Sequence, residues 1–353
     1  MKGPWIWGAR ADIAVFGGSA CLALLLAFLG PRLSDEGGLP GWAWIAFVLA
    51  VDVAHVHATL FRTYLDSAEL KQRRALYIGA PIACFAFGVL LHLRSEAAFW
   101  RLLAYVAVWH FVRQQIGWVA IYRARAGEKS RLGRVLDDAT IYGATGYPLL
   151  FWHAHLPRPF HWFVDGDFVS LPILRTIEPI AAVLWIGLLA AYVLRALATG
   201  VSKNPGKHLI VATTALTWYV GIVATSTDFQ FTVTNVLVHG LPYIALLFVY
   251  TRERSKVAPK NLVVRLASGG VLAFAAVILA AAFVEEMFWD RLVWHDRPSL
   301  FGGLMRSGPL LSPTARAFVV PLLSVPQTTH YVLDAVLWRR RDTGPAQARA
   351  LGF

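Results

Sequence analysis

The fold is decided by stretches such as residues 12–30, DIAVFGGSACLALLLAFLG, in which Asp12 is the only charged residue. A helix that crosses lipid needs about 20 mostly apolar residues, because its backbone must satisfy every hydrogen bond internally. Similar stretches follow along the chain, and together they predict about ten spans. The predicted spans are 12–30, 41–61, 75–93, 98–122, 135–155, 176–199, 208–226, 231–251, 262–285 and 316–338. We therefore expect an all-α fold, a polytopic helical bundle in a membrane.

The overall composition agrees with this fold class. Of the 353 residues, 57% are hydrophobic and 15% are charged, whereas soluble domains carry about a quarter charged residues. The chain has two cysteines, Cys21 and Cys84, and both lie in apolar stretches. They are typical of small core residues, so a disulfide or a thiolate metal site is not expected.

The formal charge of +12 predicts topology rather than nucleic-acid binding. Lys and Arg residues concentrate in alternate loops, as in residues 62–74 and 123–134, and this alternation is the positive-inside pattern. It places both termini in the cytoplasm and the basic loops against anionic headgroups. We expect an integral protein of a bacterial inner membrane, with the lipid bilayer as its partner and no nucleic acid.

The loops between the predicted spans are short, which leaves no room for an appended soluble domain. We predict a single transmembrane domain over residues 1–340. The last residues, 341–353 (RDTGPAQARALGF), combine charge with small residues, and this composition predicts a disordered cytoplasmic tail.

Ionisable groups inside spans cost about 2.5–3.5 kcal/mol each on insertion scales and usually face the interior of a bundle, where they serve a function. Here they cluster on four predicted spans that all run in the same direction, so one site near mid-membrane would include most of them. The groups are Asp52, His55 and His57; His110, Arg113 and Gln114; His239 and Tyr243; and His330 and Asp334.

Helical spacing identifies candidate ligands. Each His except His57 has a carboxylate, amide or phenol three or four residues away, on the same helix face, and such a neighbour can orient the ring or join it as a ligand. His55 and His57 point about 200° apart, so one metal ion cannot easily bind both, and we favour His55. The predicted metal ligands are His55, His57, His110, Gln114, His239, His330 and Asp334, and the predicted catalytic residues are Asp52, Arg113 and Tyr243. We expect Arg113 to pair with Asp52 or Asp334.

Two of these segments also resemble each other. Residues 110–118, HFVRQQIGW, align with residues 330–338, HYVLDAVLW. Both have a polar residue four positions after the His and a Trp eight positions after it. They are consistent with two helices that do the same job.

The leading hypothesis is a non-haem iron site, mononuclear or dinuclear, because His and carboxylate ligands suit iron. Iron in a membrane implies a lipid-soluble substrate, such as an acyl chain or an isoprenoid, oxidised with O₂. At the level of class, several spans with single histidines on separate helices are similar to membrane desaturases, hydroxylases and bacterial carotene-cleaving dioxygenases. The His-x-x-x-His and His-x-x-His-His boxes of the desaturases are missing. An electron-donor protein is a candidate partner.

Five alternatives stay open at this point. Two histidines on facing helices would also ligate haem b, and imidazoles bind zinc as well. A proton-coupled transporter would use the same buried charges as a relay, and a metal-free lipid transferase would need one His as general base. Finally, the polar groups would merely hold the helices together if they hydrogen-bond across the bundle.

Overall fold

The computed structural model describes residues 4–34, 38–257, 261–338 and 344–353. It is 80% helical and contains no strand in these ranges, which confirms the all-α class. The helices are α1 (Ala9–Leu33), α2 (Gly41–Phe61), α3 (Ser67–Gln72), α4 (Arg74–Arg94), α5 (Glu96–Arg125), α6 (Arg131–Ala154), α7 (Glu178–Thr199), α8 (Pro205–Ala224), α9 (Asp228–Ser255), α10 (Leu262–Ser268), α11 (Val271–Trp294), α12 (Pro298–Phe301), α13 (Pro313–Leu323), α14 (Val325–Leu337) and α15 (Pro345–Ala350).

Seven of the described helices are long and apolar enough to cross a membrane, namely α1, α2, α4, α7, α8, α9 and α11. This is consistent with an integral membrane protein. The predicted count of about ten spans is not confirmed. Helices α5 and α6 form where spans were predicted but are more polar, and the predicted span 316–338 is divided at Ser324 into α13, of 11 residues, and α14, of 13 residues.

The chain divides into two compact units. Unit one comprises Met1–Phe47, Ala107–Ala245 and Leu351–Phe353, and unit two comprises Val48–Val106 and Leu246–Ala350. The divisions at Phe47, Val106 and Ala245 fall inside the continuous helices α2, α5 and α9. The prediction of one transmembrane domain over residues 1–340 stays a prediction.

In unit one, close helix contacts depend on small residues and on a buried carboxylate. Asp12 is fully buried and accepts hydrogen bonds from the Tyr122 hydroxyl at 2.6 Å and from the backbone N–H of Ile6, also at 2.6 Å. Gly221 of α8 lies so close to α9 that a Cβ there would overlap the Thr234 side chain. A larger residue at this position would therefore force α8 and α9 apart.

In unit two, α4 packs on α14 through a core of Tyr77, Ala80, Leu333 and Leu337. The short helix α15 closes this unit near the end of the chain. Its Gln347 is buried, accepts a hydrogen bond from Arg62 at 2.7 Å and donates to the Leu337 carbonyl at 3.1 Å.

Helix α15 differs from the predicted disordered tail. Of that tail, residues 341–343 lie outside the described residues, whereas residues 345–350 are helical. The buried hydrogen bonds of Gln347 explain why this part of the chain is ordered.

Candidate metal centre

Two of the predicted histidines meet in unit two. The buried rings of His55, on α2, and His330, on α14, lie 5.0 Å apart between centroids at an angle of 77°. Helix α2 is wound as a π-helix over Trp44–Val53 and returns to α-helix just before His55. Such π-helical turns occur frequently at functional sites, and this one ends two residues before His55.

Hydrogen bonds to both rings fix their orientation. Nδ1 of His55 donates to the Val51 carbonyl oxygen at 3.3 Å, so the ring proton is on Nδ1 and the lone pair that would bind a metal is on Nε2. Nδ1 of His330 is hydrogen-bonded to the Thr59 hydroxyl at 2.8 Å. Both rings are therefore held by groups one turn away or on the neighbouring helix.

The other two histidines meet in unit one with the same relative geometry. The rings of His110, on α5, and His239, on α9, are also 5.0 Å apart at 77°, and both are buried. The His239 ring stacks on the Phe111 ring, with 3.5 Å between the ring centroids. Gln114 donates from its amide nitrogen to the backbone carbonyl of His239 at 3.1 Å, which ties α5 to α9 beside the ring.

Together, His55, His110, His239 and His330 each offer a ring nitrogen, and these four atoms all lie within 4.8 Å of one another. Nitrogen ligands bind a divalent metal at about 2.0–2.1 Å, so opposite ligands are about 4 Å apart. The longest of these separations would need to shorten by about 1–1.5 Å for the four atoms to bind one ion. The donor set, four buried imidazoles, therefore fits a metal ion.

The predicted carboxylates lie beside the rings rather than among the ligand atoms. Asp52 Oδ1 is 3.7 Å from His55 Nδ1, and Asp334 Oδ1 is 4.0 Å from His330 Nδ1. Asp334 also accepts a hydrogen bond from the Trp338 indole at 3.3 Å. A carboxylate in this position stabilises the charge that a bound metal induces on the imidazole and orients the ring.

His57 is not brought into the cluster, whereas Tyr243 and Gln114 lie on the helices that carry His239 and His110. His57 points to α11, where its Nε2 lies 2.7 Å from Glu285 Oε2. Tyr243 is buried on α9, one turn after His239. Gln114 binds the His239 backbone through its amide nitrogen, as described above, while its Oε1, the atom that would bind a metal, is buried without a hydrogen-bond partner; its role as a ligand stays a prediction.

The prediction that Arg113 pairs with Asp52 or Asp334 is corrected by the structure. Arg113 is exposed on α5, donates to the Tyr142 hydroxyl at 3.0 Å and lies over the Trp109 ring. Trp109 is four residues away, on the same exposed helix face. The long side chain therefore finds its partners at the surface of α5 and α6.

A cavity of about 450 Å³ lies in unit two beside the His55–His330 pair. Both His330 and its partner Thr59 belong to the cavity lining, as does His57. Cavities of this size accommodate small-molecule ligands. A molecule in this cavity would lie next to His330.

A comparison with known protein families, curated proteins and solved structures finds no match to the chain. The functional argument therefore depends on the histidine cluster and its surroundings.

Proposed function

We propose that the protein is a membrane-embedded, metal-dependent oxidoreductase in which His55, His110, His239 and His330 bind one non-haem iron ion. The single observation that supports this most strongly is the convergence of four buried ring nitrogens within 4.8 Å. Imidazoles that only link helices need one partner each. Four of them in one place, with the proton of His55 turned away from the others, are arranged to donate lone pairs to a cation.

The geometry favours a mononuclear, non-haem site over the alternatives. Axial haem ligands are also about 4 Å apart, but the macrocycle would occupy the space that the two other imidazoles fill. In the four-histidine group no carboxylate is close enough to bridge two ions. Four histidines around zinc would complete its tetrahedral shell, whereas iron accepts further ligands and keeps positions open for reaction.

Each part of the site has a role in this proposal. The four histidines bind the metal, and Asp52, Asp334 and Thr59 orient two of them. Iron bound there would supply one-electron and O₂ chemistry. The cavity beside His330 holds the substrate, and Tyr243 stays a candidate for proton transfer one turn from His239.

The surroundings of the site extend the proposal. The seven apolar helices support a substrate that dissolves in the bilayer, such as an acyl chain or an isoprenoid. The basic loops support placement in a bacterial inner membrane with both termini in the cytoplasm. An electron-donor protein on that side would complete a reaction that needs reducing equivalents.

The test is the metal content and absorption spectrum of the purified protein. We expect about one iron per chain, no Soret band, and loss of most of the metal in His110→Ala and in His330→Ala. His57→Ala is the matched control, because His57 is also in α2 but lies against Glu285, and it should retain its iron.

Several results would contradict the proposal. Wild-type protein without any transition metal would refute a metal site, and a Soret band would indicate haem. Zinc in place of iron would refute the proposal that the protein is an oxidoreductase. A His57→Ala variant as depleted as His110→Ala would show that the cluster is not the binding site.

A further inference from the structure

The cavity in unit two has walls made of carbon, although several of its side chains are polar. The Thr59 hydroxyl is hydrogen-bonded to Nδ1 of His330 at 2.8 Å. Thr63 donates its hydroxyl to the backbone carbonyl of Thr59 at 2.9 Å, and Tyr64 donates to the carbonyl of Tyr77 at 2.7 Å. These hydroxyls are directed at protein atoms, so the side chains turn their carbon atoms to the cavity.

The other polar side chains of the lining also direct their polar atoms away from the cavity. His57 directs Nε2 at Glu285, 2.7 Å away, and the Thr329 hydroxyl oxygen is fully occluded by protein atoms. The remaining lining residues have side chains of carbon alone; they are Val56, Leu60, Pro81, Val325, Pro326 and Leu333. Among the described lining residues, none presents an exposed hydrogen-bonding side-chain group to a guest.

We infer that this cavity binds a hydrocarbon segment of the substrate, a chain or isoprenoid portion without hydrogen-bonding groups, and holds it beside His330. An alcohol or carboxylate in the same place would lose its water without gaining a partner, so the cavity selects against polar ends. The substrate thus meets the histidines with part of its chain rather than with a headgroup. The position of this chain relative to the reaction rests on the proposed function, but binding of the chain does not need the metal.

Thermal unfolding in detergent with two matched probes tests the inference, since a ligand that binds the folded state raises the melting temperature with its concentration. The probes are n-dodecane and 1,12-dodecanediol, which share one chain length. We expect dodecane to raise the melting temperature of the wild type and the diol to bind at least about tenfold more weakly.

Filling variants then locate the binding. Val325→Phe, at the start of α14, and Leu60→Phe, on α2, both place a ring in the cavity, and either one should abolish the response to dodecane. Val332→Phe is the control, because Val332 is on the same helix as Val325 but is 44% exposed and outside the lining. It should respond like the wild type. If one filling variant fails to unfold cooperatively, the other decides.

The inference is overturned if dodecane has no effect on the wild type, if the diol binds as well as the alkane, or if a folded filling variant responds as strongly as Val332→Phe. Metal content measured on the same samples separates this test from the proposed function. Metal-free protein that still binds dodecane in the cavity supports the inference and refutes the metal site. Iron-containing protein whose melting temperature does not respond to dodecane supports the metal site and refutes the inference about the cavity.

Discussion

Thr59→Val removes the hydroxyl that contacts His330 Nδ1 at 2.8 Å and keeps the shape of the side chain. Thr59 and His330 are both buried, so water cannot easily replace the lost partner. A metal-binding His that loses its outer hydrogen-bond partner typically binds metal 10–100-fold more weakly. This corresponds to about 1.4–2.7 kcal/mol of binding free energy.

Thr63→Val is the matched control for this change. Thr63 lies in the turn that follows α2, is also buried and also lines the cavity, but its hydroxyl donates to the Thr59 carbonyl and not to a histidine. Both variants therefore lose one buried hydroxyl, from the last turn of α2 or from the turn that follows it. Only Thr59→Val disturbs a proposed ligand.

The assay is anaerobic titration of metal-free protein with Fe²⁺ in the presence of a competing chelator. We expect Thr59→Val to weaken iron binding by about 10–100-fold and Thr63→Val to change it by less than about threefold. Melting temperatures of the two metal-free variants show whether they are equally folded. Equal iron affinities for the two variants would refute the argument that Thr59 positions His330.

Two further predictions concern stability outside the site. Arg113→Ala should change the free energy of unfolding in detergent by less than about 1 kcal/mol, because Arg113 is exposed; a loss above about 3 kcal/mol would reveal a buried carboxylate partner after all. Asp66 is buried, which opposes ionisation, but hydrogen bonds from Arg254 and Tyr250 outweigh burial and lower the pKa of Asp66 below its ordinary 3.8. The ionised form is favoured in the folded state, so its stabilisation is present above that ordinary pKa and is lost as the pH falls through the lowered one. Asp66→Asn should lower the free energy of unfolding by about 3 kcal/mol at neutral pH and should lack this part of its dependence on acid pH. Chemical denaturation at several pH values measures both effects. If the free energies of unfolding of the wild type and the variant fall in parallel as the pH is lowered, the assignment is contradicted.

Much of the fold and the four clustered histidines could be predicted from the sequence, because ionisable residues are rare in the apolar stretches of a membrane protein. His55, His110, His239 and His330 stand out as ionisable groups in apolar stretches, each with a polar neighbour one turn away. The angular separation of His55 and His57 on α2 indicates that one metal cannot easily bind both, and Asp52 and Thr59 on the His55 face favour His55. The structure places His55 in the cluster and His57 against Glu285.

Contacts between distant segments could not be predicted in this way. The Thr59–His330 and His57–Glu285 contacts depend on how helices pack, which a single helix face does not reveal. Spacing alone also does not distinguish a carboxylate that binds metal from one that orients a ring, and this is why Asp334 was predicted as a ligand.

The predicted number of spans was not confirmed and the predicted partner of Arg113 was wrong, each for its own reason. The interruption of 316–338 at Ser324 is followed by Pro326 and the polar residues 327–330, QTTH, so the sequence does carry a signal for two helices, which span length and average hydropathy do not use. For Arg113, the exposed Trp109 one turn earlier was a usable signal, because the two share a helix face.

X-ray absorption at the iron K-edge, on purified wild type and on His239→Ala, tests the central claim most directly. The account predicts about four imidazole nitrogens around one iron in the wild type, at about 2.1 Å, and one imidazole fewer in the variant. An iron shell with two or fewer imidazoles, or a shell that His239→Ala leaves unchanged, would contradict it.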